Sequence, residues 1–182
     1  YTEKGKDITI FGAHYGLQGQ FWCDMYVDYV MEESFGKQNA RQMIGGFSAR
    51  TENSKNNYQK IGGWNDSANY TPQKGDQIFF LLPTKDKTRT VNHTGVVTDV
   101  DLEKGIVYTI EGNTSAKPGD RSGTTVRKKQ YNLNHPSIKG YGTPNWDIEI
   151  KDRLDNLEQN ENTKENNSPA DKLQALIQGL KN

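Results

Sequence analysis

Gly19-Gln20-Phe21-Trp22-Cys23-Asp24-Met25-Tyr26-Val27-Asp28-Tyr29-Val30 carries a loop into a helix, with the chain's single cysteine at the junction. Trp22, Met25, Tyr26, Tyr29, Val30 and Phe35 recur at helical spacing, and Gly36 supplies a stop, so a helix is expected over residues 21–35. The first turn of a helix leaves backbone N–H groups unpaired at the positive end of its dipole. Both features favour thiolate over thiol, so a nucleophile of lowered pKa is expected at Cys23. Taken alone, a lone cysteine is more often inert core, and the rest of the chain must supply a base.

Upstream, residues 1–18 mix Gly and aromatic residues and suggest an irregular lead-in with at most a short strand over 8–11. Downstream, residues 37–49 suggest a second helix interrupted by Gly45-Gly46, followed by a polar surface stretch over 50–60. After Trp64 the texture changes. Pro72-Gln73-Lys74-Gly75-Asp76 is turn chemistry, and Gln77-Ile78-Phe79-Phe80-Leu81-Leu82 has the length of a buried strand. Further strands are expected over 93–100, 106–111 and 124–131, with Asp101 to Gly105 as a hairpin turn. Helices followed by consecutive strands predict an α+β domain with an antiparallel sheet, spanning residues 1–150.

Beyond Trp146 there are no aromatic residues, and 156–168 is dominated by Asn, Glu, Gln and Lys. Such a segment buries too little apolar surface to offset its ordering entropy, so residues 151–182 are expected to be a flexible linker or tail, with a short amphipathic helix over 170–180.

The 23 basic and 23 acidic residues of the 182 cancel, and no basic block exceeds Arg127-Lys128-Lys129. Nucleic acid and anionic membranes are therefore poor candidate partners, and a neutral or zwitterionic substrate is expected. No stretch approaches the ~20 apolar residues of a membrane span. One cysteine closes no internal disulfide, and the paired-cysteine spacings of metal sites are missing. Tyr1 in place of Met suggests a processed product or an excised piece.

Three histidines compete as partner to Cys23. His14 lies in the Gly-rich lead-in and His135 precedes Pro136 in a loop, whereas His93 starts the apolar run His93-Thr94-Gly95-Val96-Val97. A base needs a rigid seat and an orienting acceptor, and His93 has both in prospect. Glu111 ends the next strand, and residues 93 and 111 are nearly equidistant from the turn near residue 102, so direct pairing across the hairpin is expected. Asn113, two residues on, would face the same side or simply form a turn.

Trp22-Cys23-Asp24-Met25-Tyr26-Val27-Asp28-Tyr29-Val30, the turn and strand at 72–80, His93-Thr94-Gly95-Val96-Val97 and Ile110-Glu111-Gly112-Asn113 resemble, in order and spacing, the CHAP family of cysteine amidohydrolases and peptidases. Ile138-Lys139-Gly140-Tyr141-Gly142-Thr143-Pro144 is similar to the closing segment of such domains. The resemblance implies a papain-like fold and a peptidoglycan hydrolase, either an N-acetylmuramoyl-L-alanine amidase or a stem or cross-bridge endopeptidase. It implies Cys23 as nucleophile, His93 as base, Glu111 as its orienter and Asn113 as a further polar group.

Gln20, or Gln18, would join the Cys23 backbone N–H as an oxyanion donor. Trp22 and Trp64 would line a substrate groove unless they are core. Asp24 departs from the small residue many relatives carry, and is expected to point away from the thiol. No metal is required. Calcium is left open and not predicted, because Asp24 and Asp28 lack the alternating spacing of an acidic loop. The resemblance further implies a secreted or wall-associated protein of bacterial, phage or mobile-element origin, tethered to another domain. Two rivals stand beside this reading: a thiol hydrolase acting on a non-wall substrate, and a non-catalytic module that binds wall peptides.

Overall fold

The structure is a computed structural model that describes residues 1–115 and 123–165. The chain divides into two units after Asn145.

In the first unit, four helices precede and flank an antiparallel sheet. The helices are α1 (Ile10–Tyr15), α2 (Cys23–Phe35), α3 (Lys37–Met43) and α4 (Thr51–Lys60). The strands are β1 (Trp64–Asp66), β2 (Gln77–Phe80), β3 (His93–Asp101), β4 (Ile106–Thr114), β5 (Thr125–Asn132) and β6 (Ile138–Gly142). They lie in the order β1-β6-β2-β3-β4-β5, with every neighbouring pair antiparallel. The class is α+β, with the cysteine helix packed on the sheet.

Helix α2 forms as its periodicity predicts and stops at Gly36, whose φ of 74° suits glycine. Its buried face holds Met25, Tyr26, Val27 and Met31, and Gly112 of β4 makes room for it. A Cβ at Gly112 would lie 2.6 Å from the Tyr26 Cβ and 2.9 Å from the Trp22 ring, so only glycine allows this approach. Ile78, Phe80, Val97, Val107, Ile138 and Tyr141 form the sheet's own core. At roughly 1.5–3 kcal/mol per large apolar side chain, this cluster is a principal source of stability for the sheet.

Three differences from the sequence reading have local causes. The short strand expected over 8–11 gives way to α1 from Ile10, which Thr9 caps by accepting the Gly12 N–H at 2.8 Å. Within the polar surface stretch expected over 50–60, residues 51–60 form the helix α4. Its buried positions are Thr51, Ser54 and Tyr58, a helical spacing carried mostly by hydroxyl residues that apolar periodicity cannot detect. Short strands β1 and β6 close the sheet and pair Trp64 to Asp66 with Gly142 to Gly140.

The second unit contains α5 (Trp146–Glu165), where the sequence suggests a flexible linker from 151. An i, i+4 pair, Arg153 Nε to Glu149 Oε1 at 2.5 Å, supports it, and Ile150, Leu154 and Leu157 form an exposed apolar stripe. The helix expected over 170–180 lies outside the described residues.

Candidate active site

Cys23 is the first residue of α2 and His93 the first of β3. The two elements pack against each other, and the Thr94 backbone N–H is among the groups that favour the charged form of the Cys23 thiol. Cys23 is 5% exposed and lines a cleft of about 310 Å³.

His93 is 1% exposed, and its Nε2 donates to Glu111 Oε2 at 2.8 Å. A carboxylate only accepts, so Nε2 carries the hydrogen and Nδ1 the lone pair. Nδ1 is buried without a hydrogen-bond partner. Glu111, fully buried, also accepts from Thr109 Oγ1 at 2.7 Å and lies 3.7 Å from Lys129 Nζ. Burial alone would raise its pKa, but the hydrogen bonds from His93 and Thr109, with the charge of Lys129, outweigh it and hold the carboxyl below its ordinary value.

The register departs from the expected direct pairing. A β-bulge between Val97 and Asp99 sets Val96 opposite Ile110, and continuing that register puts Gly95 opposite Glu111. Glu111 therefore reaches His93 diagonally, across the space left by Gly95. A Cβ at Gly95 would lie 2.5 Å from Glu111 Cγ.

Cys23 corrects the expectation of a lowered pKa. Burial and the charge of Asp24 push its thiol up to about 12, more than the backbone N–H groups of Thr94, Asp24 and Cys23 pull it down. The expectation that Asp24 points away is also corrected, because Asp24 is fully buried. Ser54 Oγ donates to its Oδ2 at 2.7 Å and Gln77 Nε2 to its Oδ1 at 2.9 Å. Asp28 is buried one turn on, accepting from Tyr15 at 3.2 Å and the Ser48 N–H at 2.8 Å. Burial raises both carboxyls. Among the described residues, no three His, Cys, Asp or Glu side chains group to hold a metal ion.

The family model for the CHAP domain matches residues 14–113. The chain belongs to the CHAP family. Its cysteine helix and sheet give the papain-like arrangement. Among solved structures, an N-acetylmuramoyl-L-alanine amidase from Staphylococcus aureus is similar at 18% identity and a TM-score of 0.44, over 70% of this chain and 31% of that one. The chain thus spans about a third of that amidase. No curated protein matches.

In this CHAP domain, His93 and Glu111 come together through their hydrogen bond, and Gln20 lines the same cleft as Cys23. Gln18 does not serve there, because its amide is engaged both ways with Thr9, at 3.0 and 2.8 Å. Trp22 is fully buried, stacked on Phe11 with its Nε1 bonded to Glu3, and has no face for a ligand. Trp64 lies on the edge strand β1, packed against Phe79 and beneath Lys55, outside the cleft lining. Asn113, at φ 52°, gives its amide hydrogens to Gly123 O at 2.9 Å and Asp7 at 3.2 Å, which ties down neighbouring chain. His14 bonds Glu32 and His135 bonds the Ser137 N–H.

The sequence reading missed Thr94, Ser54, Gln77, Thr109, Arg50 and Arg89. Of these only Thr94 had a visible signal, its place directly after His93.

Proposed function

We propose that this CHAP domain is a peptidoglycan hydrolase in which Cys23 attacks an amide carbonyl and His93 moves the protons. One observation carries the reading: His93 is fixed through Nε2 on the buried Glu111 while its Nδ1 lone pair is unused, on the strand that packs against the cysteine helix.

A thiol with a pKa near 12 is uncharged at neutral pH, so proton transfer accompanies attack. His93 Nδ1 takes the thiol proton as sulfur bonds the carbonyl carbon, and Glu111 stabilises the imidazolium. The C–N bond then breaks, the leaving amine receives the proton from Nδ1, and a thioester remains. Water gives a proton to Nδ1 and its oxygen bonds the acyl carbon. The C–S bond breaks and the proton returns to sulfur. The Cys23 backbone N–H and the Gln20 amide are the donors assigned to the oxyanion. In this reading the protein acts outside the cell or at the wall, where peptidoglycan is its partner, and as an amidase or an endopeptidase.

Mass spectrometry of soluble products from purified Gram-positive sacculi tests this. Wild type should release new stem-peptide or cross-bridge ends and Cys23→Ala none. Release by the Ala variant, or by neither protein on several wall chemotypes, overturns the reading.

A further inference from the structure

The net charge of zero conceals a polar cleft. Arg50 and Arg89 line the same cleft as Cys23, and among the described residues no acidic side chain joins them in its lining.

Their acidic neighbours hold them loosely. Arg89 Nε stands 3.6 Å from Asp86 Oδ2 and Arg50 Nη2 stands 4.0 Å from Glu52 Oε2. Paired guanidinium and carboxylate groups approach to about 2.7–2.9 Å when engaged. The short hydrogen bonds of these acids go elsewhere: Asp86 accepts from Thr88 Oγ1 at 2.6 Å and Glu52 from the Thr90 N–H at 2.9 Å. Both guanidinium forks are therefore positioned to exchange a weak neighbour for a ligand carboxylate. Leu17 and Phe21 add apolar surface to the cleft lining and are 41% and 50% exposed.

We propose that Arg89 and Arg50 form a subsite for a carboxylate on the peptide substrate, close to the bond that Cys23 attacks. The ligand's identity rests on the hydrolase reading; the chemistry it presents does not. A wall stem peptide offers such a group wherever a γ-linked D-glutamate keeps its α-carboxyl, and loses it where that carboxyl is amidated. The subsite therefore makes the enzyme selective for unamidated stems, against the neutral substrate that composition alone suggests.

The test uses two synthetic muramyl peptides that differ only in D-isoglutamate against D-isoglutamine. Calorimetry on Cys23→Ala measures binding without turnover, and wild type measures cleavage. The carboxylate form should bind about tenfold or more tighter, the scale of a charge-assisted contact. That preference should shrink toward unity in Arg89→Gln and Arg50→Gln, and with rising ionic strength. Should either variant fold poorly, the salt titration of the Cys23→Ala protein still decides. Equal affinity for both peptides, or a preference unmoved by salt, overturns the subsite. Cleavage without discrimination leaves the hydrolase standing and removes the subsite. Discriminating binding without cleavage by wild type does the reverse, and neither binding nor cleavage removes both.

Discussion

Gln77 Nε2 donates to Asp24 Oδ1 at 2.9 Å, which ties the residue after the proposed nucleophile to strand β2. Its second hydrogen goes to Thr94 Oγ1 at 3.0 Å, and Thr94 follows the proposed base. One buried amide thus holds the neighbours of both reacting groups. The orientation is fixed by charge, since a reversed amide would set its oxygen against the Asp24 carboxylate. Thr94 passes its own hydrogen to Ile78 O at 2.8 Å, completing the link.

Gln77→Leu keeps the volume and removes both donors. Leaving a buried carboxylate short of a partner costs about 1–3 kcal/mol or more, so the denaturant midpoint should fall. If Gln77 sets the spacing of Cys23 and His93, kcat on a soluble muropeptide should fall with KM little changed. A stability loss with full activity per folded molecule would limit Gln77 to a structural role.

Asp24→Asn tests the charge beside Cys23. Without the negative neighbour, the thiol pKa should drop below about 12, and alkylation by iodoacetamide at mildly alkaline pH should quicken. The same variant has a stability signature. Burial holds Asp24 and Asp28 above the ordinary 3.8, so the folded state favours their protonated forms. Their contribution to stability is full below that value and is lost as pH rises through the raised folded pKa values. Asp24→Asn should therefore flatten the decline in unfolding free energy from acid toward neutral pH. An unchanged alkylation profile and an unchanged slope would sink the electrostatic account.

Much of this site was legible because it depends on strong local signals. The α2 periodicity, the turn before β2 and the 101–105 hairpin placed Cys23, His93 and Glu111 on the correct elements. The orientation of Asp24 was not legible, because its partners Ser54 and Gln77 stand 30 and 53 residues away and hydroxyl and amide residues give no periodic signal. The bulge at Val97 to Asp99 was invisible for a similar reason: nothing in the local residue pattern distinguishes a shifted register from a regular one. Arg50 and Arg89 look like ordinary surface cations until α4 and the β2–β3 loop bring them to one cleft.

Glu111→Gln removes the charge that faces His93 and keeps the shape. Charge-assisted hydrogen bonds contribute about 1.5–3 kcal/mol, so kcat/KM should fall roughly ten- to a hundredfold. Loss below twofold would show that the imidazolium needs no charged partner. Since Glu111 is held below its ordinary 4.5, its contribution to stability is present above that value and is lost as pH falls through the folded pKa. The Gln variant should accordingly lose less stability on acidification than wild type, as measured by denaturant unfolding at a series of acid pH values.

Gly95→Ala tests whether the diagonal reach of Glu111 depends on an empty position opposite it. The new Cβ would lie 2.5 Å from Glu111 Cγ and 2.8 Å from Ile110 O, and backbone on a central strand cannot retreat as a surface side chain would. Overpacking of this kind costs about 1–3 kcal/mol, and the side chain free to move is Glu111, away from His93. Activity per folded molecule should therefore fall along with stability. Gly105→Ala is the control. At φ 66° with open space around it, an added Cβ strains the turn by roughly 1–2 kcal/mol but touches nothing in the site. If both variants lose stability and only Gly95→Ala loses activity per folded molecule, the Glu111–His93 geometry depends on that missing side chain. If Gly95→Ala keeps full activity, Glu111 reaches His93 by another path or the pair matters less to the reaction than its burial suggests.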